Sequence, residues 1–310
     1  MSRWAVAVVV AMLAAVSYLS GQEASQPNDC SHRSIPLTVI KNSNPTWDWH
    51  SLNLSVAGRQ IPINSVLVAP QSPRVLVLVD TSGSMAKYSG VRATWGTGLR
   101  AAAFAVDATP LDSSVSLGTF NEQNRFSQFE SRQEAAKEVA GLAQHEPSHH
   151  TALYDALKDA AARLNPTQFG DVIFLVTDGG DNHSAERQKK AQQELNSRGV
   201  RVFVFLVFDK DFKTAEEREA PELMSELASA TGGAVFEEPW SKEWVASDEG
   251  KQVMQRIRTM ARWPYMLQFR LDQPLQKPAK LRITAPDKHS VELAYPHEVL
   301  PCFALAAKSQ

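Results

Sequence analysis

Arg74–Met85 reads RVLVLVDTSGSM: five consecutive Val and Leu residues, then an aspartate, and then small hydroxyl residues around a glycine. Successive side chains of a strand point to opposite faces, so a run apolar at every position belongs to a strand covered on both sides. Two further runs share that texture, VIFLV (Val172–Val176) and VFVFLVF (Val202–Phe208). Helical patterns lie between the runs. ALYDALKDAAARL sets Leu153, Leu157, Ala161 and Leu164 on one face, and SAERQKKAQQELNSRG carries a weaker stripe of Ala185, Gln188, Ala191 and Leu195 that ends at Gly199, a helix C-cap. APELMSELASATGG puts Leu223 and Leu227 one turn apart before a glycine pair. VSLGTFNEQ, from Val115, alternates and is expected at the sheet edge. Strands alternating with helices predict a doubly wound α/β fold, with a mostly parallel central sheet and helices on both faces.

Outside this region the texture differs. IPLTVIKNSNPTWDWHSLNLSVAGRQIPI, from Ile35, alternates apolar and polar residues around turn signals, as does YMLQFRLDQPLQKPAKLRITAPDKHSVELAY after a helix expected to end near Met260. The expected organisation is a β lead-in at 35–69, the α/β domain at 70–262 and a C-terminal β segment at 263–303, the flanks being small additions of short strands. Residues 21–34, polar and without periodicity, form a linker. Residues 1–20 carry one positive charge at Arg3 and a 16-residue apolar run from Trp4 to Leu19, with Ala15-Val16-Ser17 as a small-x-small cleavage site. That is the layout of an export signal, and the run is short of the roughly 20 residues of a membrane span. A retained N-terminal anchor is the alternative. Both place the body of the protein outside the cytoplasm, secreted, periplasmic or envelope-bound. There, the only two cysteines, Cys30 and Cys302, are candidates for a disulfide, with two unpaired thiols as the alternative.

Composition limits the function classes. Of 310 residues 43% are hydrophobic and 21% charged, ordinary for a globular chain. A formal charge of −2 excludes the basic stripe that a nucleic-acid surface needs.

Open α/β sheets bind ligands at the carboxyl ends of their strands. Asp80 and Asp178 each follow an apolar run immediately and so sit on that rim. Ser82 and Ser84 follow Asp80, and Thr151 lies in the loop before a helix. Two carboxylates and three hydroxyls make a set of hard oxygen donors suited to Mg²⁺, with Mn²⁺ or Ca²⁺ as alternatives. Neutral hydroxyls leave the ion electrophilic, and a free coordination position then attracts an anionic group from outside.

Asp80-Thr81-Ser82-Gly83-Ser84, Thr151 and Asp178-Gly179 resemble, in residue type and in order, the metal-ion-dependent adhesion site of von Willebrand factor type A (VWA) domains. The resemblance covers roughly residues 70–262. HTALYDAL and VTDGGDN look like bacterial VWA-related proteins, and the flanks are similar to those of an exported group common in acidobacteria. The resemblance implies that Ser82, Ser84 and, in the ligand-competent state, Thr151 touch the ion, while Asp80 and Asp178 act mostly through water. It also implies that a partner protein supplies an Asp or Glu carboxylate. One departure stands before Thr151: the family carries small glycines there, and this chain has HEPSHHT with His149 and His150, side chains able to narrow access to the ion or add contacts.

His145, His149, His150 and His183 could form a separate transition-metal site, though no cysteine assists. Strand-end aspartates with a metal also suit phosphoryl-transfer hydrolases. Those with an aspartyl nucleophile place a second acid two residues on, which here is Ser82, and neither a nucleophile elbow nor a GxxxxGK phosphate loop occurs. A non-enzymatic binding protein is the expectation; a structural envelope protein with a purely stabilising metal is the second reading. Trp47, Trp49, Trp240, Trp244 and Trp263 are read as core-closing aromatics and assigned no site.

Overall fold

The computed structural model describes residues 30–42, 48–68, 72–86, 94–207, 215–262, 264–286 and 291–301. The signal-like residues 1–20, Trp47, Trp263 and Cys302 lie outside them. The chain begins with strands β1 (His32–Asn42), β2 (Asn53–Val56), β3 (Arg59–Ile61) and β4 (Ile63–Val68). The alternating region follows: β5 (Arg74–Asp80), α1 (Thr94–Asp107), β6 (Ser114–Phe120), β7 (Asn124–Phe126), α2 (Arg132–Gly141), α3 (Leu153–Arg163), β8 (Val172–Thr177) and α4 (Gln188–Arg198). It continues through β9 (Arg201–Leu206), α5 (Ala215–Thr231), β10 (Val235–Phe236), α6 (Lys242–Ala246) and α7 (Asp248–Arg262). Strands β11 (Tyr265–Arg270), β12 (Ala279–Thr284), β13 (Val291–Ala294) and β14 (Glu298–Val299) complete it.

The central sheet has the order β10-β9-β8-β5-β6-β7, parallel except for the β6–β7 pair. The unbroken apolar runs split cleanly by face. Val75, Val77 and Val79 of β5 join the core under α1, α2 and α7, whereas Leu76 and Leu78 join the core under α3, α4 and α5. All five are fully buried, and burying each side chain contributes about 1.5–3 kcal/mol. This is the doubly wound, mostly parallel sheet expected from the sequence.

Three local expectations are corrected. β6 is not the edge strand, because the short hairpin partner β7 covers its outer side. α5 begins at Ala215, upstream of Pro221, and Ala220 and Met224 on either side of that proline are fully buried. α4 begins at Gln188 and not at Ser184, because residues 184–186 bind the start of α3. Its C-cap is as read: Gly199 adopts φ +67°.

The flanks are the larger correction. They are not two small additions but one body of two four-stranded sheets, β13-β1-β11-β4 and β14-β12-β2-β3. β1 pairs antiparallel with β11 from His32↔Arg270 to Leu37↔Tyr265, and β2 pairs with β12. Their alternating apolar faces meet in a separate core that includes Leu37, Leu54, Leu267, Phe269, Leu281 and Ile283. Alternation announces that one face is buried, but not which distant segment covers it.

Arg201 ties this sandwich to the α/β domain. It is fully buried at the start of β9, where its guanidinium donates to Thr38 Oγ1 (2.9 Å), Met260 O (2.8 Å) and Ala261 O (2.9 Å). The two carbonyls belong to the last turn of α7, the helix end that favours a cation. Burial lowers the Arg201 pKa to about 9, with no carboxylate among its hydrogen-bond partners. Arg201 is level with Val75 across the register, and Asp80 lies five residues further along β5. The sandwich therefore packs at the amino end of the sheet, roughly 17 Å of strand away from the rim.

Candidate functional site

The rim begins with two buried carboxylates. Asp80 ends β5 with no exposure, and Asp178 follows β8 at 3%. Asp80 Oδ1 accepts from the Ser82 N–H (2.9 Å), and Oδ2 accepts from Thr177 Oγ1 (2.7 Å). Thr177 Oγ1 in turn accepts from the Gly179 N–H (3.0 Å), while Asp178 Oδ1 accepts from the Gly180 N–H (3.2 Å). Gly179 is required: its φ is +87°, and a Cβ there would meet Ala220 Cβ of α5 at 2.6 Å. Burial, and then the charge of Asp178, push the Asp80 carboxyl up to about 7. Two acids are thus held close together where water is scarce, an arrangement that a divalent cation would relieve.

The hydroxyls stand beside them. Gly83–Met85 form one 3-10 turn, pinned by fully buried Met85, whose Cε fills the space that a side chain on Gly98 of α1 would need. Ser82 Oγ and Ser84 Oγ are 3.0 Å apart and hydrogen-bonded to each other, with no histidine partner among the described residues. Adjacent ligands in an octahedral Mg²⁺ shell, at 2.0–2.1 Å from the ion, lie about 3 Å from each other. The donors are all oxygens, which suits a hard divalent cation.

The segment before Thr151 is clipped to this turn. The Gly83 N–H donates to His149 O (2.9 Å) and the Ser148 N–H to Thr81 O (3.0 Å). His149 occupies the left-handed region at φ +72°, a conformation that favours glycine. The imidazoles of His149 and His150 are about two-thirds exposed and face Glu122 at 4.0 and 3.9 Å, and His150 stacks on His183. The Glu122 carboxyl is held below the usual range, first by the His150 N–H and then by these imidazoles. Among the described residues no three His, Cys, Asp or Glu side chains are grouped to hold an ion, so the histidines do not assemble the separate transition-metal centre. A cleft of about 370 Å³ opens here, lined in part by Thr81, Asn121, Glu122, Arg125, His145 and His149.

Thr151 is 2% exposed and is held chiefly by Asn182, to which the sequence assigns no role. Its N–H donates to Asn182 Oδ1 (3.0 Å), and its carbonyl accepts from the N–H groups of Asn182 and His183 (3.0 Å each). Asp181 Oδ1 accepts from the Leu153 N–H (2.8 Å), and Ser184 Oγ from the Tyr154 N–H (3.0 Å), so the loop after β8 caps α3. Burial raises the Asp181 pKa despite these bonds. A signal was present: a cluster of Asp, Asn and Ser in DGGDNHS is helix-capping chemistry. It was missed because the capped helix is α3, which precedes the cluster in sequence.

The structure thus joins Asp80, Ser82 and Ser84 in one turn, places Asp178 within electrostatic reach of Asp80, and ties Thr151 to the loop that carries Asp178. Trp240 plays the expected structural part: it is 1% exposed, packs against Phe104 and Trp244, and donates from Nε1 to Leu206 O.

The family model described as "VWA domain containing CoxE-like protein" matches residues 48–231. Solved structures to which the chain is similar include an aerotolerance-related membrane protein from Bacteroides fragilis, 17% identical over 61% of this chain and 98% of its own (TM-score 0.46). A von Willebrand factor type A protein from Catenulispora acidiphila is 14% identical over 87% of this chain and 72% of its own (TM-score 0.44). The manganese-loaded TRAP protein from Plasmodium vivax is 14% identical over 74% of this chain and 95% of its own (TM-score 0.44). No curated protein matches in sequence.

Proposed function

Because the chain belongs to the family of VWA domain containing CoxE-like proteins, we propose that it is a metal-dependent protein-binding domain and not an enzyme. Asp80, Ser82, Ser84, Thr151 and Asp178 hold one Mg²⁺ or Mn²⁺ at the rim, and the ion accepts an Asp or Glu carboxylate from a partner protein. The observation that carries this reading is the state of Asp80. It is fully buried, its carboxyl is raised first by burial and then by the charge of Asp178, its hydrogen-bond donors are neutral groups of Ser82 and Thr177, and it stands beside the Ser82 and Ser84 hydroxyls. The ion supplies charge compensation and an electrophilic position; the residues orient it and exclude water from its inner side.

The reading is tested by surface plasmon resonance against a partner captured from the envelope fraction in Mg²⁺. EDTA should abolish binding. Thr151→Ala should weaken the partner more than tenfold, or by over 1.4 kcal/mol, while keeping much of the metal affinity. Partner binding that survives both EDTA and Thr151→Ala would place the interaction elsewhere on the molecule.

The proposal extends to location. The basic and apolar start of the chain supports export or anchoring outside the cytoplasm. No helix among the described residues is long and apolar enough to cross a membrane. In that oxidising setting Cys30 pairs with Cys302. Supporting the pairing, there is no free cysteine among the described residues. In the chain-entropy view, closing so long a loop stabilises by about 4–5 kcal/mol. Non-reducing mass spectrometry of the isolated protein should find the linked peptides; two alkylatable thiols would remove the bridge.

A further inference from the structure

We propose that Asn182 is a positioning residue that latches Thr151 to the loop carrying Asp178, so that the two candidate ligand loops shift as one unit. The consequence for the ion rests on the metal-binding reading above; the latch itself consists of bonds made by the chain alone.

Three hydrogen bonds of 3.0 Å join Thr151 to residues 182–183, one from the Thr151 N–H to the Asn182 side chain and two from backbone N–H groups to the Thr151 carbonyl. Asn182 is itself exposed, so its side chain is not needed to fill a core. The grip continues behind Thr151. Asp181 and Ser184 cap Leu153 and Tyr154, and the Asp155 carboxylate returns two bonds, to the N–H groups of Ala185 (2.9 Å) and Glu186 (3.0 Å). At its other end the loop is seated by Gly179 against Ala220 and Met224 of α5. Residues 151–155 and 181–186 are therefore cross-braced, and Asp178 lies on the same short loop.

A Thr151 hydroxyl that must approach or leave an ion cannot do so by a shift of its own short loop. Any displacement drags Asn182 and, four residues back, Asp178. Exchange of a hydroxyl ligand and rearrangement of the carboxylate are then a single event, which makes the site two-state in place of graded.

Backbone amide hydrogen exchange, read by NMR without and with Mg²⁺, tests the latch. Without metal, Asn182→Ala should speed exchange at the Thr151 amide at least tenfold, because that N–H loses its acceptor. Asn182→Asp, which keeps the oxygen, should restore most of the protection. With saturating Mg²⁺ the wild type should gain protection at both Thr151 and Gly180, the donor to Asp178. Asn182→Ala should gain it at Gly180 alone. Unchanged Thr151 exchange in Asn182→Ala, or equal Mg²⁺ protection at both amides in that variant, overturns the latch. A wild type that shows no Mg²⁺ response anywhere counts against the metal reading instead, and the metal-free arm still decides the latch.

Discussion

Asp80→Asn should change stability in opposite directions depending on Mg²⁺. The substitution is nearly isosteric. The amide oxygen can still accept from the Ser82 N–H, and the Thr177 hydroxyl can turn to accept from the new NH₂ group. What disappears is a buried acid whose pKa is raised from 3.8 to about 7. A raised acid contributes stability that is fully present below about pH 4 and is lost as the pH climbs through 7. Asparagine keeps that contribution at every pH. Metal-free Asp80→Asn should therefore match the wild type near pH 4 and exceed it at pH 8 by on the order of 3–4 kcal/mol. Mg²⁺ should reverse the order once it stands a thousandfold above its Kd, since an ion at that excess stabilises the wild type by about 4.1 kcal/mol and the variant hardly at all. Urea denaturation at pH 4.5 and pH 8, with Mg²⁺ and with EDTA, gives the four values needed. A variant that gains as much from Mg²⁺ as the wild type would end the assignment of Asp80 as part of the ion site.

At the opposite end of the sheet, Asp171→Ala should cost about 3–5 kcal/mol at neutral pH without altering the Mg²⁺ response. The Asp171 side chain is fully buried and receives a two-pronged contact from Arg74, Nε at 3.0 Å and Nη2 at 2.6 Å, plus the Gln168 N–H at 2.8 Å. Arg74 also donates to the carbonyls of Leu164 and Pro166, so the pair binds the start of β5 to the turn leading into β8. Removing the acid strands a guanidinium that is only 17% exposed. Replacing Arg74 and Asp171 together should cost less than replacing Asp171 alone, because no unpaired charge remains. Chemical denaturation of the three variants measures this, and a loss under about 1 kcal/mol for Asp171→Ala would show the pair to be dispensable.

Much of this could be read from sequence because the sheet is buried on both faces. Apolar runs such as 75–79 and 172–176 have no alternative home, and they fix where the rim residues Asp80 and Asp178 stand. The sandwich was hidden for the complementary reason. Its strands alternate, and alternation leaves the partner open: nothing in IPLTVI names Tyr265–Arg270 as its neighbour. Arg201 went unremarked because a single cation at a strand start reads as solvated. Its burial follows only from the meeting of α7 and β1. Asn182 was invisible as a latch because its contact with Thr151 spans 31 residues.

The pairing of β1 with β11 also sets a timetable. His32 and Arg270 lie 238 positions apart, the difference of their residue numbers. At 5–20 residues per second, the ribosome delivers the second about 12–48 s after the first. The α/β domain, complete at α7, has everything required to close its sheet in that interval. The leading strands do not: both edges of β1, and the edge of β2 turned away from β3, must wait unmatched for partners not yet synthesised. Through that interval a sticky leading ribbon accompanies a domain that is itself still being made, which is when the chain would most need a chaperone.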